Sequence, residues 1–165
     1  MVLLYEDFVK NKNGKEFEIT VEMVKHRHGF QQMTFFAKTI AKKSKNPFTH
    51  GRLWLFVFPY EHKGKLFFPI GLGLVTGKNL RTGLYTQLII YALDHLNKYS
   101  IDGIFSPDST GAVSRHYSYK DNLRTKEADL FWENLYKNQS KHPGILVKRD
   151  KPSGSKKYYY YLTKK

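Results

Sequence analysis

Leu66-Phe67-Phe68-Pro69-Ile70-Gly71-Leu72-Gly73-Leu74-Val75 is an apolar run, and Thr76-Gly77-Lys78-Asn79-Leu80-Arg81-Thr82-Gly83 is a turn bearing glycines and cations. From there to Asn97 the chain is strongly periodic. Together these read as a strand, a loop and a helix. Leu84, Leu88, Ala92 and Leu96 recur on one helical stripe that Tyr85, Ile89 and Leu93 widen, so the helix is expected in the core. The loop suits an anion: glycines let the backbone come close, Lys78 and Arg81 bring charge, and the first helical turn offers N–H groups without carbonyl partners. A pyrophosphate fits that description. Gly, Asn and Thr are also ordinary turn and cap residues, and a strand must turn into a helix in some way.

Upstream, Leu53-Trp54-Leu55-Phe56-Val57-Phe58 reads as a dense strand that His62-Lys63-Gly64-Lys65 turns into the run at Leu66, giving an antiparallel hairpin buried on both faces. The basic loop from Lys42 to Arg52 offers Lys42, Lys43, Lys45 and Arg52 as candidate contacts to a nucleic-acid backbone, although a solvated lysine-rich loop has the same composition. Phe30, Met33, Thr34, Ala37, Ile40 and Ala41 fit a helical stripe, while Met33 to Ile40 also tolerates a strand; the second half of Phe30 to Lys45 is read as helix. Glu16 to Val24 alternates polar and apolar residues with the period of a half-buried strand. Asn11-Lys12-Asn13-Gly14-Lys15 is a turn, and Leu3 to Val9 a partner strand or a helix. His26 and His28 share one side of an extended segment, yet two histidines without a third ligand make no metal site, and no metal is expected.

Downstream, Ser100-Ile101-Asp102-Gly103 ends the long helix and Ile104-Phe105-Ser106-Pro107 is a short strand, which implies a parallel βαβ unit. Asp108 to Arg124 is a long polar stretch without period, of the kind that forms a substrate loop. Thr125 caps a helix through Leu130, Phe131, Asn134 and Leu135 that stops after Asn138. Ile145 to Arg149 and Lys157 to Thr163 close the chain as a hairpin around Lys151-Pro152-Ser153-Gly154-Ser155. The four tyrosines of the last strand are expected to cover the sheet, two on each face, although tyrosines amid lysines also suit base stacking.

At 165 residues and 41% hydrophobic content, the chain is expected to form a single domain over residues 1–165. Its 28 Lys and Arg against 14 Asp and Glu give a net charge of +14, spread along the sequence and attractive to polyanions; a lysine-rich proteome produces the same balance. The absence of cysteine rules out disulfides, thiolate metal sites and cysteine nucleophiles. Met1 to Asp7 lacks a basic region followed by a long apolar run, and no apolar segment reaches membrane-spanning length, so a cytoplasmic protein is expected.

The order of elements carries a resemblance. A hairpin, a glycine-bearing loop, a long helix, a short strand, a helix with Ala128-Asp129-Leu130-Phe131-Trp132-Glu133-Asn134-Leu135-Tyr136 and a closing hairpin together resemble the GNAT superfamily of N-acetyltransferases over roughly residues 53–163. The resemblance implies an α+β fold, with a mixed, mainly antiparallel central sheet and a βαβ unit flanked by helices. In that family the strand before the loop and the loop amides receive the pantetheine and pyrophosphate of acetyl-CoA. It therefore implies cofactor-binding roles for Leu74, Val75, Thr76, Gly77, Lys78, Arg81, Thr82 and Gly83. The family's loop usually runs Gln or Arg, two residues, Gly, one residue, then Gly or Ala; here Gly83 holds the central place, with Leu80 and Tyr85 at the outer two. Where the family often has a tyrosine as acid toward the departing thiolate, this chain has Trp132, whose indole offers no suitable proton; Tyr136 lies one helical turn on. Such departures resemble divergent members encoded by phages or mobile elements, for which the host cytoplasm is the expected location.

The reaction so implied is acyl transfer from acetyl-CoA to an amine, whose ammonium must first lose a proton. His116 and Asp108, in or beside the long polar loop, are the candidate bases and Tyr136 the candidate acid; Glu61 and His62 fall at the far end of the strand from Val75 and are set aside. A loop histidine is more often only a surface residue. The expected partners are an unknown amine acceptor and nucleic acid or a protein bound to it, with no membrane. A second reading keeps the fold without the chemistry, as a basic protein that contacts nucleic acid or inhibits a nucleic-acid enzyme. Leu80, Tyr85, Trp132 and the aromatic C-terminal hairpin favour it.

Overall fold

Alternation along the chain sets the first sheet of the computed structural model, which describes residues 3–25, 31–40, 49–70, 74–75, 83–107 and 125–165. In chain order the strands are Leu3–Lys10 (β1), Glu16–Lys25 (β2), Gln31–Lys38 (β3), Thr49–Phe56 (β4), Tyr60–His62 (β5), Lys65–Pro69 (β6), Leu74–Val75 (β7), Gly103–Ser106 (β8), Ile145–Asp150 (β9) and Tyr159–Lys164 (β10). The α-helices among the described residues are Leu84–Leu96 (α1) and Lys126–Lys137 (α2). The protein is therefore α+β. Its strands form two mostly antiparallel five-stranded sheets rather than the one central sheet expected. The chain divides into two compact units, Met1–Val57 with Gly73–Ala92, and Phe58–Leu72 with Leu93–Lys165.

In the first unit the strand order is β1-β2-β3-β4-β7, antiparallel throughout. Register turns the sequence pattern into a core: Val21 pairs with Phe35 and Phe35 with Leu53, while Met33 pairs with Leu55, and all five side chains are fully buried. Side chains two apart share a face, so three alternating strands held in register build one continuous apolar surface. β3 takes the strand alternative that Met33 to Ile40 left open. Its Met33, Phe35 and Ala37 form a period-two set that a helix would scatter around its axis, and strands on both sides of β3 bury that set. Thr39 and Ile40 are irregular, and 41–45 fall outside the described residues. In α1, Leu84, Leu88, Ile89 and Ala92 are buried as their spacing predicts, and Tyr91 meets Phe35 edge-on at 6.1 Å.

The second unit has the order β5-β6-β8-β10-β9. β6 pairs with β8 in parallel, Phe67 opposite Gly103 and Pro69 opposite Phe105, as the βαβ reading requires. Asp102 fixes the start of that pair: its carboxylate accepts the Leu66 N–H at 2.8 Å while its own N–H donates to the Leu66 carbonyl at 2.9 Å. The run from Leu66 to Val75 is not one strand. β6 ends at Pro69, which has no N–H to give, and β7 joins β4 in the other sheet. The turn at Lys63-Gly64 is where it was expected, but the strand it joins to β6 is β5; β4 pairs instead with β3 and β7.

The tyrosines of β10 divide between the faces of this sheet. Tyr159 and Tyr161 gather with Phe67 and Phe105 into a buried aromatic cluster, against which Tyr60 packs. Tyr160 faces α2 and stacks on Trp132 at 5.9 Å. Thr125 caps α2 as expected, its hydroxyl accepting the Ala128 N–H at 3.1 Å. Just past α2, the Gln139 amide both donates to the Val147 carbonyl (3.1 Å) and accepts the Val147 N–H (3.0 Å), fastening the helix exit to β9.

Candidate functional site

Of the strand and helix expected to hold an anion, β7 and the start of α1 fall in the first unit. β7 pairs through Leu74 and Val75 with Arg52 and Gly51 of β4, and among the described residues it is, with β1, an edge strand of its sheet. Thr76, Gly77, Lys78, Arg81 and Thr82 lie outside the described residues. Gly83 is described: its φ of +80° is one that side-chain-bearing residues rarely adopt, and its carbonyl accepts the Gln87 N–H at 3.0 Å to close the first turn of α1. No acidic residue stands in that first turn to oppose an anion.

A cation that the sequence did not single out joins this helix start. A Cβ at Gly83 would meet Lys12 Cγ at 3.2 Å and Cε at 3.4 Å, so the Lys12 stem lies along the glycine. Asn11 makes this placement firm. Its buried side chain accepts the N–H groups of Asn13 at 2.9 Å and Lys15 at 3.0 Å, and its backbone N–H donates to the Lys15 carbonyl, which locks the β1–β2 turn. Lys12 is thus delivered to α1 by a rigid turn, although 71 positions separate it from Gly83 in sequence. The only available signal was the Asn-rich turn, and nothing local says where such a turn will dock.

The candidate acid–base residues are not brought together among the described residues, since His116 and Asp108 lie outside them. Tyr136 is half-buried on α2, with the Arg149 guanidinium 4.2 Å from its ring centroid. Trp132 is buried against Tyr160 and belongs to the packing between α2 and the sheet. His62, set aside above, stacks on Tyr161 at 3.9 Å and pairs through Nε2 with Asp150 at 3.1 Å. Burial first, then the nearby Asp150 carboxylate, pushes the Tyr161 phenol well above its ordinary pKa, so it stays protonated. Of the candidate nucleic-acid contacts, Lys42, Lys43 and Lys45 lie outside the described residues, whereas Arg52 is exposed on β4 with its guanidinium 5.2 Å from the Trp54 ring centroid.

Among the described residues no group of three or more His, Asp or Glu side chains is placed to hold a metal ion. Among them, too, no helix is long and apolar enough to cross a membrane. The chain matches no protein-family model, no curated protein and no solved structure.

Proposed function

We propose that the chain is a divergent GNAT-like protein that binds acetyl-CoA and transfers its acetyl group to an amine. The observation that carries this reading is the start of α1, where a positive-φ glycine and the Lys12 stem meet at a helix N-terminus free of acidic residues, one loop after an edge strand. A linear amide such as pantetheine can continue the backbone ladder of an edge strand, and a pyrophosphate is matched by helix N–H groups and lysine charge. On this reading Leu74 and Val75 hold the pantetheine arm through their backbone, while Lys12, Lys78, Arg81 and the amides from Thr76 to Gly83 hold the phosphates. Acetyl-CoA supplies an activated acyl thioester. His116 or Asp108 takes the proton from the acceptor ammonium, directly or through water, and Tyr136 is the candidate donor.

A second reading, the same scaffold without chemistry, is favoured by Trp132, which packs against Tyr160 where the family often has its tyrosine. Isothermal titration of protein stripped of nucleic acid tests the first reading, with acetyl-CoA and free CoA as ligands. Micromolar binding is expected, with loss of most of that affinity in Lys12→Ala, Arg81→Ala and Gly83→Trp. No heat with either ligand would sink the cofactor site. Binding without turnover across an amine screen would select the second reading.

A further inference from the structure

On the α2 side of the second sheet, Arg149 lies over two aromatic rings. Its guanidinium carbon lies 4.2 Å from the Tyr136 centroid and 4.1 Å from that of Tyr158, and it hydrogen-bonds the Tyr160 hydroxyl. Lys151 brings a second cation to Tyr158, its Nζ 4.7 Å from the ring centroid. Tyr158 is 37% exposed, although its three successors in β10 are buried.

The carboxylates around this cluster are already matched. Glu133 pairs with Lys137 at 2.8 Å, Asp129 with Lys157 at 2.8 Å, and Asp150 pairs with His62 on the opposite face. Glu133, first through Lys137 and in smaller part through the Arg149 charge, is held below the usual carboxylate range, and no carboxylate ion pair to Arg149 or Lys151 occurs among the described residues. Aromatic rings engage a guanidinium through its face, whereas a phosphate is met by its edge, whose paired N–H groups match two oxygens. An exposed ring with two cations over it combines the two elements of single-strand recognition: a surface for a base and charge for the backbone beside it.

We propose that this face of β9 and β10 binds single-stranded nucleic acid. Arg149 takes one phosphate through both arms of its fork, Lys151 leaves the Tyr158 ring for a neighbouring phosphate, and a base stacks on Tyr158. The site lies in the second unit and does not depend on the cofactor reading. Duplex is disfavoured because its base faces are hidden within the stack, so that Tyr158 has nothing to receive.

The test is fluorescence anisotropy of a labelled short oligothymidylate with the full chain freed of nucleic acid, beside a duplex of equal length. Wild type should bind the single strand more tightly than the duplex. Arg149→Lys, which keeps the charge and loses the planar fork, and Tyr158→Leu should each weaken binding about tenfold. Lys151→Ala removes an exposed side chain, leaves the thermal melt unchanged and should weaken binding several-fold. If Arg149→Lys fails to fold, Tyr158→Leu and Lys151→Ala decide the matter between them. Failure of wild type to bind, equal affinity for duplex and single strand, or unchanged affinity in Tyr158→Leu and Lys151→Ala would each overturn the proposal.

Discussion

Near the C-terminal end of α1, His95 keeps only 5% of its surface exposed, and its ring lies 5.6 Å from that of Tyr99. Burial, and then the charge of Lys98, lowers its pKa below 6.5. The unfolded chain therefore takes up this proton near 6.5, while the folded chain resists it until a lower pH. The contribution to stability is complete above 6.5 and falls as the pH drops from there toward the folded pKa, by at most about 1.4 kcal/mol per pH unit for one proton. Urea unfolding from neutral to mildly acidic pH should show a decline that His95→Leu makes shallower; an unchanged slope in the variant would remove His95 as its source. The helical stripe of α1 marks its core positions without saying that a histidine will be among the buried ones. Trp132 carries the same lesson, since its sequence neighbours do not say what it packs against and the stacked ring of Tyr160 does.

Elements whose pattern could satisfy only one geometry are where their sequences put them. The α2 boundaries follow from Thr125 and Asn138, and Thr125→Ala should cost about 1 kcal/mol because the Ala128 N–H loses its acceptor. Circular dichroism melts of wild type and Thr125→Ala check this, with Thr125→Ser expected to retain most of the stability. Whereas Leu3 to Val9 suited a strand or a helix and only its pairing with β2 made it β1, the β9–β10 hairpin was as legible as α2. β3 was not, because Met33-Thr34-Phe35-Phe36-Ala37 suits either a stripe or an alternation, and the choice was made by strands on both sides. Nor was the division of Leu66 to Val75 legible in hydrophobicity alone. Its apolar residues run on past Pro69, whereas pairing with β8 reaches only as far as the Ile70 N–H on the Phe105 carbonyl, and the two ends serve different sheets. The candidate cofactor loop was readable as glycines and cations, yet Lys12 reaches Gly83 only through the folded turn that Asn11 locks.

For the whole molecule, +14 describes its attraction to polyanions without locating it. Location comes from neighbours: Lys137 and Lys157 pair with Glu133 and Asp129, while Arg149 and Lys151 lie against the exposed Tyr158 ring. How the molecule treats copies of itself is a separate question. A sheet grows by accepting another strand along its rim, and β9 is the outermost strand of the second sheet. At Val147, Gln139 already occupies the place of that further strand, its amide offering a donor and an acceptor as a backbone would. Gln139→Val should therefore make the protein associate with concentration, visible as rising light scattering while the circular dichroism spectrum stays folded; a monodisperse variant would refute this. One side chain is thus a stopper as well as a fastener, imitating the neighbour that β9 must not find in a second copy of the chain.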